Sequence, residues 1–169
     1  MNKKLLFITG TRAEFSKLKP LIDASVEDGY HCCVFITGMH MLSKYGGTSV
    51  EVKKTSKVDF YEYVNYREGD AQEIILAKTI IGLSDYINTQ KIDMMIYHGD
   101  RVEALAAAIV CATNKIRSTH IEGGEVSGAI DEQIRHSVTK FSKFHLVASN
   151  DAYERVRRLG EPSNSIFNV

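Results

Sequence analysis

Short apolar runs alternate along this chain with stretches whose apolar residues recur at helical spacing. Leu5-Leu6-Phe7-Ile8-Thr9 is continuous and stops at Gly10, the pattern of a strand buried on both faces. From about Glu14 to Glu27, Phe15, Leu18, Leu21, Ile22 and Val26 line one face of a predicted helix. Cys32 to Ile36 reads as a second buried strand, ended by Gly38. Met41 to about Lys54 is expected to be helical, although Gly46-Gly47 interrupts it. Val58 to Val64 alternates as a strand does, and Ala71 to Ile87 reads as a long helix. Its apolar residues Ile74, Ile75, Ile81, Leu83 and Ile87 are expected to bury one face.

The second half repeats the theme. Met94 to Tyr97 is a strand ended by Gly99, and Arg101 to about Ala112 a helix rich in alanine. Ser118 to Ile121 is a strand ended by Gly123-Gly124. Asp131 to about Ser142 is a helix, Phe144 to Ala148 a strand, Asp151 to Leu159 a helix and Ser165 to Val169 a last strand. Strands and helices in strict alternation imply an α/β fold, a doubly wound parallel sheet covered on both faces. Pro20 and Pro162 are both expected near element ends.

Composition narrows the function classes. Lys plus Arg and Asp plus Glu number 21 each, so the formal net charge is zero. That balance gives no electrostatic case for nucleic acid or an anionic membrane. Arg155, Arg157 and Arg158 are expected to form the solvated face of a terminal helix. No apolar run approaches the roughly 20 residues of a membrane helix, and no signal pattern is visible. Cys32, Cys33 and Cys111 are odd in number and lie among apolar neighbours. They read as reduced, buried thiols of a cytoplasmic protein.

In a doubly wound sheet, ligands bind beyond the carboxyl ends of the strands. Ionisable residues concentrate there. Gly10 to Lys17 follows the first strand, and Gly38-Met39-His40 the second. His98-Gly99-Asp100-Arg101 comes next, then His120-Ile121-Glu122-Gly123-Gly124-Glu125, with Asp131, Glu132, Arg135 and His136 close behind. A helix N-terminus with Arg12 and Lys17 suits a phosphate or diphosphate. Neither a Walker loop nor a GxGxxG loop is present. Paired glycines beside Glu122 are expected to let backbone approach a ligand. Blander roles stand beside these: a turn and cap at Gly10-Thr11-Arg12, helix caps for Asp100 and Asp131, a core place for His145. A rival grouping takes His98, Asp100, His120 and Glu122 as four metal ligands, since residues i and i+2 share a strand face.

Taken together, Gly10-Thr11-Arg12-Ala13-Glu14, His98-Gly99-Asp100-Arg101, His120 to Gly128, Ile130-Asp131-Glu132 and Ile134-Arg135-His136 resemble the UDP-N-acetylglucosamine 2-epimerases. The segment from His98 to His145, with its Gly-Gly-Glu-Val-Ser-Gly run, is most similar to the hydrolysing branch. The resemblance implies a glycosyltransferase-B arrangement of two Rossmann-like domains, of which residues 1–169 are the N-terminal catalytic one. It implies that a C-terminal, UDP-binding domain lies outside this chain, so the isolated chain is expected to be inactive. It also implies a UDP-amino sugar substrate, a homo-oligomeric full-length protein, and neither a metal nor a nicotinamide cofactor. Catalytic acids are placed at Asp100, Glu122 and Asp131, and substrate contacts at Arg12, Lys17, His40, Arg101, Glu125 and Arg135. A UDP-diacetamido sugar, a non-hydrolysing epimerase, a metal-dependent hydrolase and a non-catalytic binding domain stay open as alternatives.

Overall fold

The computed structural model describes residues 3–169. Seven parallel strands make one sheet: β1 (Lys4–Thr9), β2 (His31–Ile36), β3 (Asp59–Glu62), β4 (Met94–His98), β5 (Arg117–Ile121), β6 (Phe144–Val147) and β7 (Ile166–Asn168). Six α-helices intervene: α1 (Arg12–Glu27), α2 (Ser49–Val52), α3 (Gln72–Thr89), α4 (Val102–Asn114), α5 (Ile130–Phe141) and α6 (Asn150–Arg158). The spatial order is β3-β2-β1-β4-β5-β6-β7. The chain therefore runs outward from β1 in one direction, returns, and continues outward from β4. The loops after β1 and β4 diverge at that reversal, which opens a crevice at the carboxyl rim.

The continuous apolar strands arise because each must fill two layers. Leu6, Ile8, Cys33, Phe35, Met95 and Tyr97 face one core, with Leu83 and the alanines of α4. Phe7, Cys32, Val34, Ile36 and Ile96 face the other, with Phe15, Leu18 and Ile22 of α1. A smaller cluster seats α6 through Ala152 and Val156 on Val147 and Ile166. Ala104, Ala106, Ala107 and Ala108 are all buried, so small side chains bring α4 close to the sheet. All three cysteines are buried and free, as expected.

The structure departs from the sequence reading at several points. Met41 to Lys54 is not one helix: two 3-10 turns, Gly38–Met41 and Ser43–Tyr45, precede the four residues of α2. Gly46 and Gly47 take positive φ and break the segment there. Pro20 lies inside α1. Its missing amide leaves the Ser16 carbonyl without its helical partner, and that carbonyl lies on an exposed face where water can serve it. In α3 the buried residues are Ile75, Thr79, Gly82 and Leu83, while Ile74 and Ile81 are exposed. Isoleucines seven apart shared a stripe, but the stripe one residue further round meets the sheet. Arg155 is not wholly solvated either, since its guanidinium donates to the Gly124 carbonyl at 3.0 Å.

Leu18 is fully buried against the sheet. Leu18→Ala is expected to cost about 2–5 kcal/mol, read as a lower urea midpoint at unchanged slope.

Candidate functional site

The crevice is floored by an unusual set of buried charges. The loop after β1 enters α1 through a capping box: Thr11 accepts the Glu14 amide, and the Glu14 carboxylate accepts the Thr11 amide at 2.9 Å. The same carboxylate oxygen accepts the Gly10 amide at 2.8 Å. Its other oxygen lies 3.9 Å from Nε of Arg101. Arg101 is held more closely by Glu103, with Nε donating at 3.1 Å and Nη2 at 3.4 Å. Glu103 is 2% exposed. It fits because Gly38, at φ +59, leaves room: a Cβ there would stand 2.7 Å from its Oε1 and 2.8 Å from the Gly10 carbonyl. Burial, and then the charge of Glu103, push the Glu14 carboxyl up to about 7.

Above this floor the catalytic candidates fall into two groups. Glu122 directly follows β5, and its amide donates to the Leu146 carbonyl at 2.9 Å. Its φ is +61, an unfavourable conformation for a residue with a Cβ. Lys17, one turn into α1, ion-pairs with its Oε1. His98 at the end of β4 brings Nε2 to 3.0 Å from its Oε2, without the alignment of a hydrogen bond. Partial burial works against the charge of Glu122. Lys17 and His98 outweigh it and hold the carboxyl below its ordinary value. Burial also lowers the His98 imidazole, against the pull of Glu122.

Asp100 forms the second group. Arg135, in α5 and mostly buried, donates to its Oδ2, to the Glu125 carbonyl at 2.9 Å and to Ser127 Oγ at 3.3 Å. One guanidinium thus ties the loops after β4 and β5 together. Glu132 closes the same loop from below by accepting the Ser127 and Gly128 amides at 3.0 and 2.9 Å. Asp100, Arg101, Glu103 and Asp131 line a common cleft of about 220 Å³ with Met39 and Tyr66. A larger hollow of about 390 Å³ lies elsewhere, against Phe7, Ile96, Thr119 and Leu146. Its lining is mostly apolar, with Lys3, Asp93 and Arg117 among it, and none of the rim's candidate acids lines it.

The remaining candidates are distributed unevenly. Arg12 is exposed and pairs with Glu51 of α2 at 3.1 Å, away from the acids. The His40 ring is buried, with Nε2 3.0 Å from Thr9 Oγ1 and Nδ1 2.6 Å from Thr48 Oγ1. That geometry pins the loop after β2. Neither Asp100 nor Asp131 caps a helix: Arg101 and Ala129 occupy the N-cap positions of α4 and α5. The paired glycines also answer to packing. A Cβ at Gly123 would meet His120 and Thr139 at 3.0 Å, and one at Gly124, φ +81, would meet the Ala152 carbonyl at 2.4 Å. The four-ligand metal grouping is dismantled by His120. Its ring nitrogens face the Gly99 carbonyl at 2.8 Å and Thr139 Oγ1 at 3.1 Å, and burial lowers it to about 3. His145 is in the core, and its Nε2 stands 3.4 Å from Glu161 Oε2 without the alignment of a hydrogen bond.

Glu103 is a residue of the crevice floor that motif reading passed over, and Glu14, though within a quoted motif, was given no role by it. Glu103 did leave a signal: one acid within the otherwise apolar run Val102 to Ala112.

A doubly wound sheet with its ionisable groups gathered at the switch point defines one Rossmann-like half of the glycosyltransferase-B architecture. An Acinetobacter baumannii MurG structure shares that fold, with a TM-score of 0.72 at 13% identity. The chain belongs to the UDP-N-acetylglucosamine 2-epimerase family, whose model matches residues 24–169. It is 42% identical over 166 residues to a UDP-N-acetylglucosamine 2-epimerase of Neisseria meningitidis, covering 97% of this chain and 44% of that protein. It is 32% identical to a Legionella pneumophila UDP-N,N'-diacetylbacillosamine 2-epimerase (hydrolyzing), covering 100% of this chain and 46% of that one. The Methanocaldococcus jannaschii UDP-GlcNAc 2-epimerase, solved in complex with UDP-GlcNAc and UDP, superposes with a TM-score of 0.85 at 25% identity over 98% of this chain and 46% of that chain. The chain thus spans a little under half the length of these relatives.

The Glu14 carboxyl is raised in the folded state above its ordinary 4.5. Below that value both states carry the proton. As pH climbs to about 7 the unfolded state gives it up first, so stability is lost across this window. Glu14→Gln is expected to flatten the pH dependence of the urea midpoint between about 4.5 and 7, and to gain on the order of 1–3 kcal/mol relative to wild type toward pH 8. Denaturation series of both proteins at fixed ionic strength measure it.

Proposed function

We propose that the full-length protein is a hydrolysing 2-epimerase, converting UDP-N-acetylglucosamine and water into N-acetylmannosamine and UDP, and that this chain is its catalytic half. The observation that carries the reading is the arrangement of acids: Asp100 and Glu122 follow neighbouring strands β4 and β5 at the carboxyl rim, and Asp131 lines the same cleft as Asp100. The hydrolysing branch is favoured by the Gly123 to Gly128 run and by the Legionella relative, whose name specifies hydrolysis. The same chemistry on a UDP-diacetamido sugar is the second reading, favoured by that same relative.

The hydrogen at C2 is a weak acid, so its removal needs a positioned base and relief of charge at the leaving group. Glu122, kept ionised by Lys17 and His98, is suited to take or return the C2 proton. As the C2–H bond breaks, the C1–O bond to UDP breaks with it and a C1–C2 double bond forms. Water then adds at C1 while C2 is reprotonated from the opposite face. Asp131, open to solvent in the cleft, is assigned the proton exchange with water. Asp100, oriented by Arg135, is assigned support of positive charge at C1. Arg101 is assigned to orienting the acids, and Arg12, Lys17 and Glu125 to substrate contact. The diphosphate is assigned chiefly to a second domain beyond this chain, and the active form to a homo-oligomer.

Proton NMR of the full-length protein with UDP-N-acetylglucosamine in D2O tests this. Free UDP with deuterium at C2 of a mannosamine-type sugar is expected. UDP retained on the product places the protein in the non-hydrolysing class, and no exchange with either amino sugar overturns the assignment. Glu122→Gln, Asp131→Asn and Asp100→Asn are each expected to lower kcat by about 10²–10⁴ with thermal midpoints close to wild type. Arg135→Lys, which cannot keep the planar fork, is expected to lower kcat by about tenfold or more.

A further inference from the structure

The opposite rim of the sheet, at the amino ends of β2 and β3, holds a second grouping that no step above uses. His31 and Cys33 are i and i+2 on β2, so their side chains leave the same face. Asp59, the first residue of β3, is the register partner of Cys33. Strand period and register together thus bring one nitrogen, one sulfur and one carboxylate to a point. His31 Nε2 lies 2.7 Å from Asp59 Oδ2, and Cys33 Sγ lies 3.9 Å from each. That triangle leaves a position about 2.0 Å from the nitrogen and oxygen and about 2.3 Å from the sulfur, the bond lengths zinc takes with these donors. The His31–Asp59 pair is half exposed, so as an ion pair alone it contributes little. The Cys33 sulfur is buried beneath it, inside the core.

We propose that His31, Cys33 and Asp59 form a binding site for a divalent transition-metal ion of the zinc class. A mixed nitrogen, sulfur and oxygen donor set selects such ions over magnesium or calcium, which prefer oxygen alone. Cys33 binds as the thiolate and its proton passes to solvent. His31 gives up the Nε2 proton by taking the other tautomer. Thiolate and carboxylate then neutralise the ion. The solvent side, next to exposed His31 and Asp59, keeps the fourth position for water. β3 is the edge strand of the sheet and β2 its sole neighbour there, so the ion clips the edge to the core. The site stands at the end of the strands away from Glu122 and Asp100, and its occupancy is independent of the epimerase reading.

The test is titration of metal-stripped, reduced full-length protein with cobalt(II), followed by zinc. The expected result is one cobalt per chain with a thiolate-to-cobalt charge-transfer band, lost on adding one equivalent of zinc. Zinc is expected to raise the thermal midpoint, and magnesium is not. His31→Ala and Asp59→Asn, both at exposed positions, are expected to abolish the band, weaken binding about tenfold or more, and leave epimerase activity unchanged. Cys33→Ala removes the band as well, and the two exposed variants keep the result interpretable if that core change lowers folding yield. A wild-type protein without the band, or a band and zinc shift that survive His31→Ala and Asp59→Asn, overturns the site.

Discussion

Glu14 accepts two loop amides with one carboxylate oxygen and faces Arg101 with the other, while Glu103 grips the same guanidinium from within the core. Two acids and one base in a buried space are held at a cost, because charge is poorly solvated there. The arrangement persists because each group is over-determined. Glu14 is fixed by its capping box, Glu103 by its slot between Gly10 and Gly38, and Arg101 by both acids. The loops after β1, β2 and β4 are thereby locked to one another at the point where the strand order reverses. What stands above them inherits that rigidity.

The rim divides its charges by sign and by depth. Two of the partly exposed acids at the crevice are supported by partners on different elements: Glu122 by Lys17 of α1 and His98 of β4, Asp100 by Arg135 of α5. Such cross-element pairing orients a carboxylate more firmly than a neighbour on its own helix would. The positive φ of Glu122 adds local strain at the same place. Arg135 also reaches the Glu125 carbonyl and Ser127, so loop shape and acid orientation depend on one side chain.

Periodicity made most of the fold legible, because strands covered on both faces leave continuous apolar runs and α1, α4 and α5 leave clear stripes. It misled where local signals were mixed. Gly46-Gly47 decided the segment from Met41 to Lys54 in favour of turns, and the two stripes of α3 differed by one residue's rotation. Motif spacing brought Asp100, Glu122, Asp131, Lys17 and Arg135 to one rim. It could not show that His40 spends both ring nitrogens on threonines, or that Gly124 is demanded by the Ala152 carbonyl. Glu103 sat unnoticed in an alanine-rich helix because its slot is made by Gly10 and Gly38, which lie far off in the chain, and because its pairing with nearby Arg101 leaves no motif.

The sequence by itself determined the alternation of elements, the parallel doubly wound sheet, the rim at which the candidate acids gather, and the family. These follow from short-range pattern: period, turn residues, and motifs contiguous in the chain. Only the tertiary structure decided which charges meet. Whether Arg101 serves the crevice or its floor, whether Glu122 is paired, and whether His31 and Cys33 find Asp59 depend on strand register and on loops brought together across the switch point. Those are properties of distance in space, and a linear pattern carries no record of them.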